Sequence, residues 1–106
     1  MKRVINWFEI PVADFERAVL FYETVFATQL RRERMNGVDL AVFPYEAPGP
    51  SGALCKGAQL QPGSNGTLVY LDAGAGVAPL LARAEVNGGT VVLEQTLVND
   101  CIGYIG

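Results

Sequence analysis

Residues 4–26 read VINWFEIPVADFERAVLFYETVF, and the hydrophobic period changes within that stretch. From Val4 to Val12 the residues are β-formers in alternation. Val4, Phe8 and Ile10 share one face, and Ile5, Trp7 and Glu9 share the other. Asp14 is a good helix N-cap, because its short carboxylate can accept from the first free backbone N–H groups. After it, Phe15, Ala18, Val19, Tyr22, Val25 and Phe26 recur at helical spacing. The stretch predicts a strand followed by an amphipathic helix, Phe15 to Phe26, that packs on a sheet.

Working outward, Gln29 to Met35 and Val38 to Phe43 read as strands. Asn36-Gly37 between them suits a type I′ hairpin, whose two central residues need positive φ. Pro44 to Gly52 holds three prolines and two glycines and reads as a loop. Ala53 to Leu60 reads as a further strand, and Gln61 to Gly66 as a linker. The pattern then restarts. Thr67 to Leu71 reads as a strand. Val77, Leu80, Leu81 and Ala84 have helical spacing, with Pro79 tolerated in the first turn. Asn87-Gly88-Gly89 is a helix stop. Thr90 to Leu93 reads as a strand, 98–103 as a polar turn, and Gly103 to Gly106 as the start of another strand. The order β-α-β-β-β, linker, β-α-β-β is an internal repeat of about 60 residues. It divides one compact domain into residues 1–60, a linker at 61–66, and a shorter second copy at 67–106.

The chain has 106 residues, 18% of them charged and 50% hydrophobic, with a net charge of −3. That suits one small globular domain and is too apolar for a disordered chain. A pI of about 4.8 argues against nucleic acid, whose phosphates need a basic face. Cys55 and Cys101 make neither a disulfide framework nor a CxxC metal site. Reduced thiols and a cytoplasmic location are expected. Asn6 and Glu9 interrupt the N-terminal apolar run, so no signal peptide is read there. No apolar stretch approaches the roughly 20 residues needed to span a bilayer, so no membrane partner is expected. Gly74-Ala75-Gly76 is too short for a phosphate or dinucleotide loop. The absence of histidine rules out Ser/His/Asp chemistry.

The run from Trp7 to Ala18, continued by Phe21-Tyr22-Glu23-Thr24-Val25-Phe26, follows the pattern strand, x-D-x-x-R-A, x-x-F-Y, x-x-V-F. It resembles the vicinal-oxygen-chelate superfamily, the group of glyoxalase I, bleomycin-resistance proteins and extradiol dioxygenases. Asn87-Gly88-Gly89-Thr90-Val91-Val92 and Ile102-Gly103-Tyr104-Ile105-Gly106 resemble its second module. The resemblance implies an α+β fold of two βαβββ modules, with mixed sheets curling around a shared cavity, in a homodimer. The second module lacks its last strand in this sequence. Two readings of that gap stand: a C-terminal strand is lost, or the chain is naturally short and a partner subunit covers the open sheet edge.

The resemblance also implies a divalent metal, held by His and Glu from four strands, that polarises vicinal oxygens of the substrate. This sequence departs from that pattern. Trp7 stands at the first ligand position, and indole has no lone pair for a metal. Ala53 to Leu60 offers no carboxylate or imidazole, and Thr67 to Val69 carries no His where the family has one. The expectation is therefore no metal and no cofactor. A hard-cation site from Glu9, Glu94 and water is the alternative.

Four residues are candidates to line the cavity. Trp7 is either an aromatic wall or core filling. Glu9 is a pocket carboxylate or a strand-end charge. Tyr70 orients a ligand or packs on the helix, and one residue of register decides which. Glu94 and Gln95 bracket the end of the sixth strand, where one faces inward unless that edge is solvated. Cys55 is a small hydrophobe, with no His to activate it as a nucleophile. The run Arg31, Arg32, Glu33, Arg34 is a solvated edge, or one arginine holds an acidic ligand. No catalytic residue is assigned. The expected function is binding of a small, partly aromatic or oxygenated molecule. The alternatives are a divalent-metal-dependent lyase, isomerase or dioxygenase, and a structural fragment without a ligand.

Overall fold

A computed structural model describes residues 1–106 and shows an α+β chain. The element order is β1 (Trp7–Pro11), α1 (Phe15–Phe26), β2 (Arg31–Met35), β3 (Val38–Val42), β4 (Ser51–Lys56), α2 (Val77–Val86), β5 (Thr96–Asn99) and β6 (Gly103–Ile105). β1 to β4 form a mixed four-stranded sheet in the order β1-β4-β3-β2. β1 runs parallel to β4, while β4–β3 and β3–β2 are antiparallel.

Local chemistry fixes the first half. Asp14 caps α1, its Oδ1 accepting from the Arg17 N–H at 3.1 Å. The helix ends at Ala27, which takes a left-handed φ of 50°. The Glu23 carboxylate then accepts from the Leu30 N–H at 2.9 Å and aims the chain into β2. Asn36 and Gly37 have φ of 53° and 78°, the pair of positive values a type I′ turn requires. Val19, Leu30, Ala41 and Leu54 make the core between α1 and the sheet.

β4 begins two residues before the expected Ala53 and ends at Lys56, not Leu60. Ser51 and Gly52 read as loop from composition, yet they pair with Trp7 and Phe8 of β1. Gly52 is required there: a Cβ would sit 2.5 Å from Cγ of the Phe8 ring and closer still to the Phe8 carbonyl oxygen.

The second half departs further from expectation. Thr67 to Leu71 forms no strand, and none of its backbone groups makes a backbone hydrogen bond. Thr90 to Leu93 forms no strand either. The hairpin partner of β6 is instead β5, Thr96–Asn99, which overlaps the expected polar turn. The true turn is shorter, because Asn99 Oδ1 accepts from the N–H groups of Cys101 and Ile102 at 2.9 and 2.7 Å. The physical reason for the unpaired 67–71 lies in the first half. β1 pairs with β4 alone, and no strand in residues 67–106 corresponds to β4.

α2 has no side-chain cap of its own at Gly76. The Gln95 side chain takes that role, its Oε1 accepting from the Ala78 N–H at 3.1 Å. Arg83 ties α2 to α1, its Nε donating to the Val25 carbonyl at 2.9 Å. Every buried residue lies between Val19 and Cys55, and α2 buries none. No helix is long and apolar enough to cross a membrane.

Candidate functional site

The four-stranded sheet has two faces. Ile10, with Leu54 and Ala41, turns toward α1. Phe8 joins that side by packing on Phe43 at 5.9 Å, which in turn meets Tyr22 edge-on at 5.7 Å. Alternation puts Trp7 and Glu9 on the opposite face. There Glu9 stands in register with Ala53, which pairs with Val42, which pairs with Arg31. Leu40, Val42, Ala53 and Cys55 form a second buried cluster on this face, with Val38 and Leu60 packed against it.

Trp7 is 43% exposed, and its Nε1 donates to Glu9 Oε2 at 3.2 Å. The indole edge is thereby held by the carboxylate two residues along the same strand. The Cys55 thiol beneath them is pushed above its ordinary pKa by burial and, secondarily, by the Glu9 charge. It stays protonated at neutral pH and is no nucleophile.

The charge run on β2 is a solvated edge, and each arginine has a carboxylate partner. Arg31 pairs with Glu33 at 3.2 Å and Arg34 with Asp39 at 2.7 Å. Arg32 holds Glu16 in a two-pronged contact at 2.6 and 2.8 Å, and its guanidinium lies 5.6 Å from the centre of the Phe15 ring.

A separate apolar groove of about 860 Å³ opens between α1, residues 68–77 and α2. Tyr70 lines it together with Tyr22, Phe26, Leu68, Leu81 and Tyr104. Burial pushes the Tyr22 phenol above its ordinary pKa, so it remains a hydrogen-bond donor. Neither Trp7 nor Glu9 lines this groove, and Glu94 does not either. Glu94 is exposed, and its carbonyl accepts from the Thr96 hydroxyl at 2.7 Å. The structure thus brings Trp7 and Glu9 together, places Tyr70 in a different surface, and leaves Glu94 outside both. Gln95, though exposed, borders the groove, and Glu94 does not.

Tyr22 is the site residue that the sequence did not single out. It sits in the apolar stripe of α1, and nothing in the helical period separates a groove-lining tyrosine from a core one. No three His, Cys, Asp or Glu side chains come together. With no group of three such donors gathered at Glu9, the residues present do not fit the divalent-metal site of the vicinal-oxygen-chelate pattern.

A family model described as bleomycin resistance protein-like N-terminal matches residues 5–42. The match runs from before β1 to the end of β3, a little over a third of the chain. The match supports, at a coarse level and for the first part of the chain, a likeness to bleomycin-resistance proteins of the vicinal-oxygen-chelate kind. No curated protein and no solved structure matches it.

Proposed function

We propose that this protein binds a small, partly aromatic or oxygenated molecule on the Trp7–Glu9 face of its sheet, without a metal. The carrying observation is the exposed indole whose N–H is fixed by the Glu9 carboxylate. An aromatic plane held in place binds by stacking at little entropic cost, and its polar neighbour sets orientation. The second Glu9 oxygen is available to a ligand hydroxyl or amine. The N-terminal family match and the departures from the metal pattern favour this over metal-dependent lyase, isomerase or dioxygenase chemistry. In this reading the first βαβββ module carries the binding face, the second is an incomplete copy of it, and a homodimer in the cytoplasm closes the cavity over the sheet face.

Trp7 is the only tryptophan, so its fluorescence reports this face alone. Titration with a panel of small phenols, catechols and aromatic amines should give saturable quenching for at least one member. Glu9→Gln should weaken that binding about tenfold, equivalent to about 1.4 kcal/mol. Absence of saturable quenching across the panel sinks the proposal. So does a stoichiometric metal in untagged protein whose removal abolishes binding.

A further inference from the structure

We propose that Asn65-Gly66 is a self-modifying site, where the folded chain converts Asn65 to aspartate and isoaspartate through a succinimide while sparing its other two Asn-Gly pairs. The site lies between the two halves, away from the Trp7–Glu9 face, so this inference stands apart from the ligand reading.

The step needs only water. The glycine nitrogen gives up its proton to solvent base and bonds to Cγ of the asparagine. The Cγ–Nδ2 bond breaks, and Nδ2 leaves with a proton as ammonia. Water then opens the ring at either carbonyl. One opening gives aspartate, and the other gives isoaspartate, whose main chain runs through the former side chain. Nothing is oxidised or reduced. Glycine suits the attack because it places no Cβ beside its own nitrogen.

The pairs stand at 36–37, 65–66 and 87–88, and all three asparagines are exposed. Exposure therefore does not separate them, but backbone freedom does. Asn36 is fixed at φ 53° in a turn clamped by the Met35–Val38 pair, and β3 beyond it carries the buried Leu40, Ala41 and Val42. Bringing the Gly37 nitrogen onto its Cγ means opening that hairpin. Asn87 is tied at both reacting groups. Its Nδ2 donates to the Arg83 carbonyl at 2.8 Å, and the Gly88 N–H donates to the Glu85 carbonyl at 3.2 Å. α2 buries no residue, so this restraint yields more readily than the hairpin. Asn65 has no such restraint. No residue from 61 to 66 makes a backbone hydrogen bond, and a Cβ built on Gly66 meets nothing within 4 Å. The Gly66 nitrogen is free to turn onto Cγ and has no neighbour to shield it. Each event adds one negative charge to a chain already at −3, just before Thr67.

The test is to hold the intact protein in neutral buffer and digest samples with trypsin over time. Cleavage after Arg34, Lys56 and Arg83 puts Asn36, Asn65 and Asn87 in three different peptides. Mass spectrometry should find conversion at Asn65 at least tenfold faster than at Asn87, and slowest at Asn36. Chromatography should resolve two products at 65, aspartate and isoaspartate. In guanidinium chloride the three rates should converge to within about threefold, because only the fold distinguishes them. Asn65→Gln, which would need a larger ring, should leave its peptide unchanged over the same period. Asn87 or Asn36 converting as fast as Asn65 in the native protein overturns the proposal. So does an unchanged ratio of rates in denaturant, which would make the selection a matter of local sequence. Aspartate as the sole product overturns the succinimide route.

Discussion

Gly52→Ala adds a single methyl group at the tightest point of the β1–β4 pairing. The new carbon would lie 2.5 Å from Cγ and Cδ1 of Phe8, where ordinary contact needs about 3.5–4 Å. Relief requires a shift of about 1 Å by the ring or by the strand. The ring is confined by Phe43 at 5.9 Å, which is confined in turn by Tyr22. The strand is held by the parallel ladder from Trp7–Ser51 to Pro11–Cys55. Overpacking of this kind costs about 1–3 kcal/mol, and the backbone clash with the Phe8 carbonyl puts the expectation at the upper end. A domain of this size has only about 5–15 kcal/mol in total. With a urea m-value of about 1–3 kcal/mol/M, the unfolding midpoint should fall by about 1–2 M. Urea titration followed by Trp7 fluorescence and far-ultraviolet dichroism measures it. Gly57→Ala is the control, since its Cβ would meet a Val38 methyl at 3.1 Å and otherwise only ordinary contacts at 3.6 and 3.7 Å, and should shift the midpoint far less. Equal midpoints for Gly52→Ala and the parent would refute the packing argument.

Two further expectations concern titration and access. Arg32 holds the Glu16 carboxyl below its ordinary 4.5, chiefly through their hydrogen bond. A lowered folded-state pKa contributes stability above the unfolded value and loses it as pH falls through the folded one. The stability difference between the parent and Glu16→Gln should therefore be present at pH 7, shrink below about pH 4.5, and diminish in high salt; a difference that grows on acidification would contradict it. Cys55 is fully buried with a raised pKa, whereas Cys101 is exposed. A thiol reagent should modify one equivalent at once and the second only in denaturant, and prompt labelling of both would show that the sheet face is open.

What was legible in the sequence was what neighbours along the chain decide. The change of period at Asp14, the α1 stripe and the Asn36-Gly37 hairpin are local, and the structure has all of them. Ser51 and Gly52 were misassigned to a loop because glycine has low strand propensity. Only the close approach of the Phe8 carbonyl and ring on the neighbouring strand explains a glycine there. Thr67 to Leu71 has the composition of a strand, but a strand is a pairing, and composition cannot supply a partner. Thr96–Asn99 was obscured by Asn99 and Asp100, which look like a turn and do form one, three residues later than the strand begins. Alternation put Trp7 and Glu9 on one face of β1, and their side chains meet there. It could not choose between Glu94 and Gln95, because the choice depends on α2 needing a cap that its own Gly76 cannot provide.

The concentration of burial between Val19 and Cys55 has a consequence for how the molecule breathes. Amides in α1, β3 and β4 exchange only when the whole first half opens, whereas α2 and the β5–β6 hairpin lose little apolar burial on opening and do so at much lower free energy. The polypeptide is then two cooperative units of unequal strength, joined at the Arg83–Val25 contact. Its everyday excursion is a form whose first half stays intact while the rest comes away, baring the Phe21, Tyr22 and Phe26 rings of α1. That partly open form, and not the fully unfolded chain, is the species a protease or an aggregating neighbour meets first.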